Sequence, residues 1–424
     1  MTVDSARTGC LAAAALLAFG AMWSRVTIAS QPVPLELPRP TGSHAIGTTT
    51  WVVEDSSRVE SFAPEAKREV QVIAWYPAGV SNGARAPYLR GGAGEARNFA
   101  TLLRAPGGFD HVASFRTHAT LDASLDEKAG RLPLLVFSHG YTGSASSYTA
   151  LLEDLASHGY AVLSIVHPYE ALGATLANGR TVSLLDENNA LRQPIREVLG
   201  EWELEDKTMA AVTADNDPAR REQLLRDYLK GLTKTDVVLR RWVDDTKLVL
   251  DRLTTLPTNR IPGRLASQID MARIGVFGHS MGGVSAGQFC VEDSRCRAGL
   301  NLDGIPQYGT MIDRKLGRSF LMVYSTRAGR LGASDTIYRR AASPYYRVDV
   351  SSTLHVDFSD FPFWAGPLRE RGAMGSLPAE RITTIARTIV REYFDQELRG
   401  RKSSLLAGSP TFPEVKVTVY RAQP

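Results

Sequence analysis

Polar and apolar positions along the chain follow two rhythms. Arg68–Trp75 (REVQVIAW) switches between polar and apolar residues, the period of a strand exposed on one face. Leu132–Ser138 (LPLLVFS), Tyr160–Val166 (YAVLSIV) and Arg273–Phe277 (RIGVF) are short apolar runs, as in strands covered on both faces of a parallel sheet. Ala298–Leu302 and Ser319–Tyr324 continue the series. Between these runs, Ser146–His158, Asp236–Leu253, Met281–Cys290 and Ala379–Leu398 read as helices. In the second of them Leu239, Trp242, Val243, Thr246, Val249, Leu250 and Leu253 share one face. Strand alternating with helix predicts an α/β fold with a doubly wound, mostly parallel sheet.

Three stretches depart from this rhythm. Cys10–Trp23 (CLAAAALLAFGAMW) carries no charge and is shorter than the ~20 residues of a membrane-spanning helix, so residues 1–30 read as a signal peptide with cleavage after Ala29 or Ser30. The alternative is an uncleaved N-terminal anchor. A Pro-rich linker (Gln31–Pro40) opens an extension over residues 31–67, ahead of a catalytic domain at 68–400 and a tail at 401–424. Within the domain, Ala171–Lys234 is polar and dense in charge. It reads as a partly helical insertion, serving either as a cap or as a solvated excursion.

Composition adds exclusions. With 424 residues, 43% hydrophobic, 36 glycines and 22 prolines, the chain is neither collagen-like nor disordered, and it can bury a sizeable core. A net charge of +4 without a basic stripe argues against a nucleic-acid partner. Export would leave Cys290 and Cys296 of the 3 cysteines, a pair suited to a short-loop disulfide in an oxidising compartment. No metal-ligand cluster or cofactor motif stands out.

The sharpest chemical signal is Arg273–Gly283, RIGVFGHSMGG. Gly278-His279-Ser280-Met281-Gly282 lies after a strand and before a helix, the setting in which a G-x-S-x-G turn lifts a serine hydroxyl above a sheet. Ser280 is therefore the candidate nucleophile. A serine hydroxyl needs a base, and the base needs an orienting carboxylate. His355 is the one histidine that follows Ser280, which makes it the candidate base. Two acids compete. Asp303 ends the strand-like run AGLNL, whereas Asp335 lies in a loop after the next strand. Position at a strand end favours Asp303; Asp357 and Asp360 stand too close in sequence to His355 to orient it. An oxyanion hole needs two backbone N–H donors. Met281 supplies one, and Tyr141 in the His139-Gly140-Tyr141 turn after Leu132–Ser138 supplies the other. His139 reads as a brace for that turn, and His158 and His167 read as structural.

These residues resemble a known family. LLVFSHGYTGSASSYTALLEDLASHGYAVLSIVHP is similar to the oxyanion strand, loop and helix of the plasma and intracellular type II platelet-activating factor acetylhydrolases. RIGVFGHSMGG, the following FCVEDSRCRAGLNLDG, and LHVDFSDFPFW match that family's nucleophile, acid and histidine segments. The resemblance covers most of Leu132–Trp364 and is much weaker over the insertion. It implies the α/β-hydrolase fold, a calcium-independent lipase activity, and Asp303 as the acid. Gly304-Ile305-Pro306-Gln307 departs from it, because the animal enzymes carry an aromatic pair there. The turn Gly140-Tyr141-Thr142-Gly143 and the Gly278–Gly283 segment also resemble bacterial cutinases and polyester hydrolases, for which the acid would be Asp335.

The sequence thus predicts an exported serine esterase without cofactor or metal. Its substrate would be a short or oxidised acyl ester of a phospholipid-like molecule, met at a lipid surface through apolar contacts. A cutinase-like carboxylesterase is the enzymatic alternative. A hydrolase fold kept as a lipid- or partner-binding protein is the non-catalytic one.

Overall fold

The computed structural model describes residues 36–79, 82–105, 109–304, 309–342, 344–408 and 411–421. The residues expected to form the leader, and Ile305–Gln307 in the departure after Asp303, lie outside the described residues.

Thirteen strands are described: β1 (Ala45–Glu60), β2 (Ala63–Ala78), β3 (Arg85–Pro87), β4 (Arg116–Leu121), β5 (Leu132–Ser138), β6 (Ala161–Val166), β7 (Ala174–Thr175), β8 (Thr181–Val182), β9 (Ile269–His279), β10 (Cys296–Leu302), β11 (Ser319–Ser325), β12 (Tyr345–Val350) and β13 (Val415–Tyr420). The helices are α1 (Gly92–Leu102), α2 (Thr149–Ser157), α3 (Gln193–Glu201), α4 (Glu205–Ala214), α5 (Pro218–Lys230), α6 (Thr233–Arg252), α7 (Ile261–Gln268), α8 (Met281–Glu292), α9 (Asp335–Ala341), α10 (Phe361–Trp364), α11 (Gly366–Glu370) and α12 (Ala379–Arg399).

Eleven strands form one sheet in the order β13-β12-β11-β10-β9-β5-β6-β2-β1-β4-β3. From β6 through β5, β9, β10 and β11 to β12, neighbouring strands pair in parallel. Both faces of this centre are buried. Leu134 and Val136 of β5 join one apolar cluster, while Leu135 and Phe137 join the other. That is why these strands show continuous apolar runs and not an alternating pattern.

Residues 31–67, read from the sequence as an extension, hold β1, which pairs antiparallel with β2 from Ala45↔Ala78 to Glu60↔Ala63. Its polar Glu54–Arg58 stretch lies at a register break, so the strand period is interrupted there. The tail expected at 401–424 likewise holds β13, antiparallel to β12 at the sheet edge. The alternation of Val415, Val417 and Val419 was the available signal.

The stretch at 171–234 folds as the β7–β8 hairpin followed by α3, α4 and α5. Two polar anchors seat it. The Glu201 carboxylate accepts the N–H groups of Lys234 (2.7 Å) and Thr235 (2.8 Å) at the start of α6, satisfying donors that a helix N-terminus leaves open. Arg330, after β11, donates to Glu205 at 2.6 Å. The insertion is therefore docked against the loop that follows β11. Cys290 and Cys296 form a disulfide between the end of α8 and the start of β10.

Two buried carboxyl groups hold the N-terminal part of the sheet to α2. Glu153 accepts the N–H groups of His118 and Ala119 (2.8–3.1 Å), and Asp360 accepts the Ala150 N–H and the Tyr88 hydroxyl (3.3 and 3.2 Å). Burial pushes Glu153 up to about 7 and Asp360 up to about 8, outweighing these hydrogen bonds. The folded state therefore keeps protons that the unfolded chain releases near pH 4. Stability from this source is complete below the unfolded values and is lost as pH rises through about 7 to 8. Urea unfolding from pH 5 to 7 should show the stability difference between wild type and Asp360→Asn changing by about 1.4 kcal/mol per pH unit. Parallel profiles would contradict this account.

Candidate functional site

Chain connections reverse at β5. The chain runs from β5 to β6 on one side and later returns to place β9 on the other. Loops at the carboxyl ends of β5 and β9 diverge there, leaving the crevice in which open α/β sheets bind ligands.

Ser280 sits in that crevice, between β9 and α8, with φ 55° and ψ −126°. A non-glycine residue at positive φ is strained, and the surroundings hold it there. Its N–H donates to Leu302 O at 2.9 Å, and its carbonyl accepts the N–H groups of Gly283 and Val284 to start α8. The Met281 N–H is consequently one of the open donors of the first turn. The glycines are steric necessities. A Cβ on Gly282 would lie 2.0 Å from Ser138 O, and one on Gly278 would lie 2.3 Å from the Gly282 carbonyl carbon. Backbone approach this close leaves no room for any side chain.

Asp303 follows β10, also at positive φ, and its N–H donates to Val323 O at 2.9 Å. Its carboxylate accepts the Ser325 N–H (2.7 Å), the Ser325 hydroxyl (2.9 Å) and His355 Nδ1 (2.8 Å). Burial works to raise Asp303, but His355, Arg327 and the Ser325 amide prevail and hold it at about 2. His355 opens a short 3-10 turn over 355–358, which Asp357 fixes by accepting the N–H groups of Leu354 and Gly375, each at 2.7 Å.

His279 joins the serine turn to the histidine loop, a role the sequence pattern did not show. Its Nε2 donates to His355 O and its Nδ1 accepts the Tyr148 hydroxyl, both at 2.8 Å. The two imidazole rings lie 4.5 Å apart. Burial and the neighbouring His355 push His279 down to about 3, so it stays a neutral strut. The available signal was a histidine placed directly before the serine, on the same strand end.

On the opposite side, Gly140 closes over the serine: a Cβ there would stand 3.3 Å from both Ser280 Cβ and His279 Nδ1. In the same turn Gly143 N donates to Gly140 O, and Thr142 N to Glu170 O. The Tyr141 N–H takes no part in that bonding among the described residues. The Tyr141 ring packs against Trp202 of the insertion and Trp242 of α6.

The other candidate acid is engaged elsewhere. Asp335 accepts the hydroxyls of Tyr324 (3.1 Å) and Tyr345 (2.7 Å) and pairs with Arg347 at 2.8 Å. A Ser–His–Asp array also forms at the end of β5: His167 Nδ1 meets Asp245 at 2.9 Å, and its Nε2 lies 3.5 Å from Ser138 Oγ. All three residues are buried, and Asp245 is tied to Arg68 at 2.6 Å, so no ester can reach this hydroxyl. Among the described residues, no group of three or more His, Cys, Asp or Glu is arranged to hold a metal.

Against this geometry, the comparisons with known proteins are decisive for ancestry. Residues 35–371 match the family described as platelet-activating factor acetylhydrolase, isoform II. The chain belongs to that family. A probable 1-alkyl-2-acetylglycerophosphocholine esterase of Arthroderma benhamiae is 25% identical over 311 residues, covering 67% of this chain and 65% of the relative. The platelet-activating factor acetylhydrolase of Cavia porcellus is 24% identical, covering 62% of this chain and 56% of the relative. The matches thus span between half and two-thirds of these relatives' lengths. Among solved structures, a ferulic acid esterase from Streptomyces cinnamoneus superposes with a TM-score of 0.69 at 28% identity, covering 91% of this chain and 99% of the other. The α/β-hydrolase type of fold follows from the family, this neighbour and the strand order together.

The steric account of the serine turn is testable by adding one methyl group. Gly282→Ala should cost about 2–3 kcal/mol in urea unfolding. Gly366→Ala, where a Cβ meets nothing within 4 Å, should change stability by less than about 0.5 kcal/mol. Equal effects at the two positions would contradict the account.

Proposed function

We propose that the protein is a carboxylic ester hydrolase that works through an acyl-serine intermediate, with Ser280 as nucleophile, His355 as base and Asp303 as orienting acid. The observation that carries the reading is the contact of 2.8 Å between His355 Nδ1 and an Asp303 carboxylate that remains ionised. His355 Nε2 takes the Ser280 proton as Oγ adds to the ester carbonyl. The carbonyl oxygen becomes an oxyanion facing the Tyr141 and Met281 N–H groups. Collapse breaks the C–O bond to the leaving alcohol, which receives the proton from His355. Water then repeats the sequence on the acyl-enzyme. Asp303 keeps the imidazole in one tautomer and stabilises the imidazolium.

The relatives' names support a phospholipid-like ester with a short acyl chain as substrate; we further propose that oxidised chains are accepted and that the ester is met at a lipid surface. The structural neighbour's name supports a second reading, an aryl acyl ester of the ferulate type. Engagement of Asp335 by Arg347 and two tyrosines disfavours the cutinase-like assignment of the acid. The His355–Asp303 pair, joined through His279 to the strand end that carries Ser280, speaks against a non-catalytic relic. We further propose export, which accords with the Cys290–Cys296 disulfide. Among the described residues, no helix is long and apolar enough to cross a membrane.

The assignment is tested by measuring kcat on 4-nitrophenyl acetate, a short-acyl phospholipid and a ferulate ester, with and without EDTA. Ser280→Ala should lose at least ~10⁴-fold and Asp303→Asn about 10³–10⁴-fold. Folded Asp335→Asn should stay within about threefold, and EDTA should change nothing. Loss of turnover in Asp335→Asn alone would transfer the role to that residue. Activity lost in EDTA and restored by calcium would sink the metal-free mechanism.

A further inference from the structure

The peptide between Gly140 and Tyr141 turns its carbonyl to a buried histidine, and its N–H is the oxyanion donor proposed above. The Gly140 carbonyl accepts two hydrogen bonds, from His139 Nδ1 at 2.7 Å and from the Gly143 N–H at 2.9 Å. In a trans peptide the C=O and the following N–H point in opposite directions. Two donors that fix the carbonyl therefore also fix where the Tyr141 N–H points. Hydrogen bonds accepted at the carbonyl draw electron density from the amide nitrogen and strengthen its N–H as a donor.

The histidine itself has only one arrangement open to it. A carbonyl can only accept, so His139 Nδ1 carries the proton, and its Nε2 accepts the His167 N–H at 3.4 Å. The His139 ring meets Trp242 edge-on at 5.2 Å and His167 at 5.5 Å. Beneath it, His167 stacks on Trp242 at 3.9 Å and 8°, and donates to Asp245 at 2.9 Å. Arg68 closes the chain with a bond of 2.6 Å to Asp245. Burial, with the adjacent His167, pushes His139 down to about 3, so the ring remains neutral while esters are cleaved.

We propose that His139 is a positioning residue: through the Gly140 carbonyl it sets the direction and donor strength of the Tyr141 N–H that binds the oxyanion. The buried Ser138–His167–Asp245 array acquires a purpose on this view. It holds the backbone and ring against which His139 is registered, and it does no chemistry of its own. The inference rests on the reading of Tyr141 as an oxyanion donor given above.

The test compares His139→Phe, His139→Asn and His139→Gln with Ser280→Ala in the full chain, on 4-nitrophenyl acetate. Phenylalanine keeps the ring and removes the donor. It should lower kcat about 10–100-fold with KM within about twofold. Affinity for phenylboronic acid, whose serine adduct places a negative oxygen in the hole, should fall by the same factor. Asparagine keeps an amide nitrogen where Nδ1 stood and should recover kcat to within about fivefold, whereas glutamine moves that nitrogen and should not. Wild-type kcat in His139→Phe, with Ser280→Ala inactive, would overturn the role of His139 and leave the serine mechanism standing. Turnover retained in Ser280→Ala would overturn the mechanism beneath it. Should the phenylalanine variant not fold, the asparagine–glutamine comparison decides, and equal kcat in those two overturns the proposal.

Discussion

The start of α8 rests directly on the backbone that ends β5, and the rest of the site depends on that contact. A Cβ on Gly282 would come within 2.0 Å of Ser138 O and 2.5 Å of His139 O. Only a residue without a side chain lets the helix come so near. Ser280 connects β9 to α8 at positive φ, the Met281 N–H is left open in the first turn of α8, and Gly140 lies against Ser280. The proposed nucleophile and the proposed oxyanion donors thus lie where these two backbones approach each other. Asp303 and His355 come from the next strands outward, β10 and the loop after β12, and are joined to the serine turn through His279.

A contact between backbones needs support that does not shift, and the support here is ionic and buried. Arg68, Glu60, His167 and Asp245 form a buried cluster beside the turn that holds Gly140 and Tyr141, with Arg68 within 2.7 Å of both carboxylates. Such clusters contribute little net stability, because desolvation offsets the attraction, yet removing one partner typically costs about 3–5 kcal/mol. Geometry is what they secure. Trp242 on α6 reaches from this cluster to Tyr141, and the insertion reaches Tyr141 through Trp202. The charged stretch at 171–234 is accordingly tied at two points: Trp202 packs on Tyr141, and Glu205 meets Arg330 beyond β11.

Much of this was legible in the sequence because the relevant patterns are local. The apolar runs of β5, β6, β9, β10 and β11 and the helical face of α6 lie close to where their periods put them, since a strand buried on both faces leaves little compositional choice. The serine turn was legible because its glycines are dictated sterically. His355 followed from chain order alone. Three things were not legible. β1 is interrupted by a polar register break and β13 lies at a sheet edge, so neither shows a continuous apolar run. Strand-end position already favoured Asp303, but what occupies Asp335 was hidden; Arg347 and two tyrosines are remote in pattern though near in space. His279 occupies a variable position in the G-x-S-x-G motif, and its two hydrogen bonds bridge residues 131 and 76 positions away.

Two serines, Ser138 and Ser280, lie close to a His–Asp pair, and only the strained Ser280 should be reactive. A fluorophosphonate probe applied to folded protein, followed by peptide mass spectrometry, tests this directly because it reports the modified residue itself. A single adduct on Ser280, absent after denaturation and absent in Ser280→Ala, is the predicted result. An adduct on Ser138, or folded protein that takes up no probe, would contradict it.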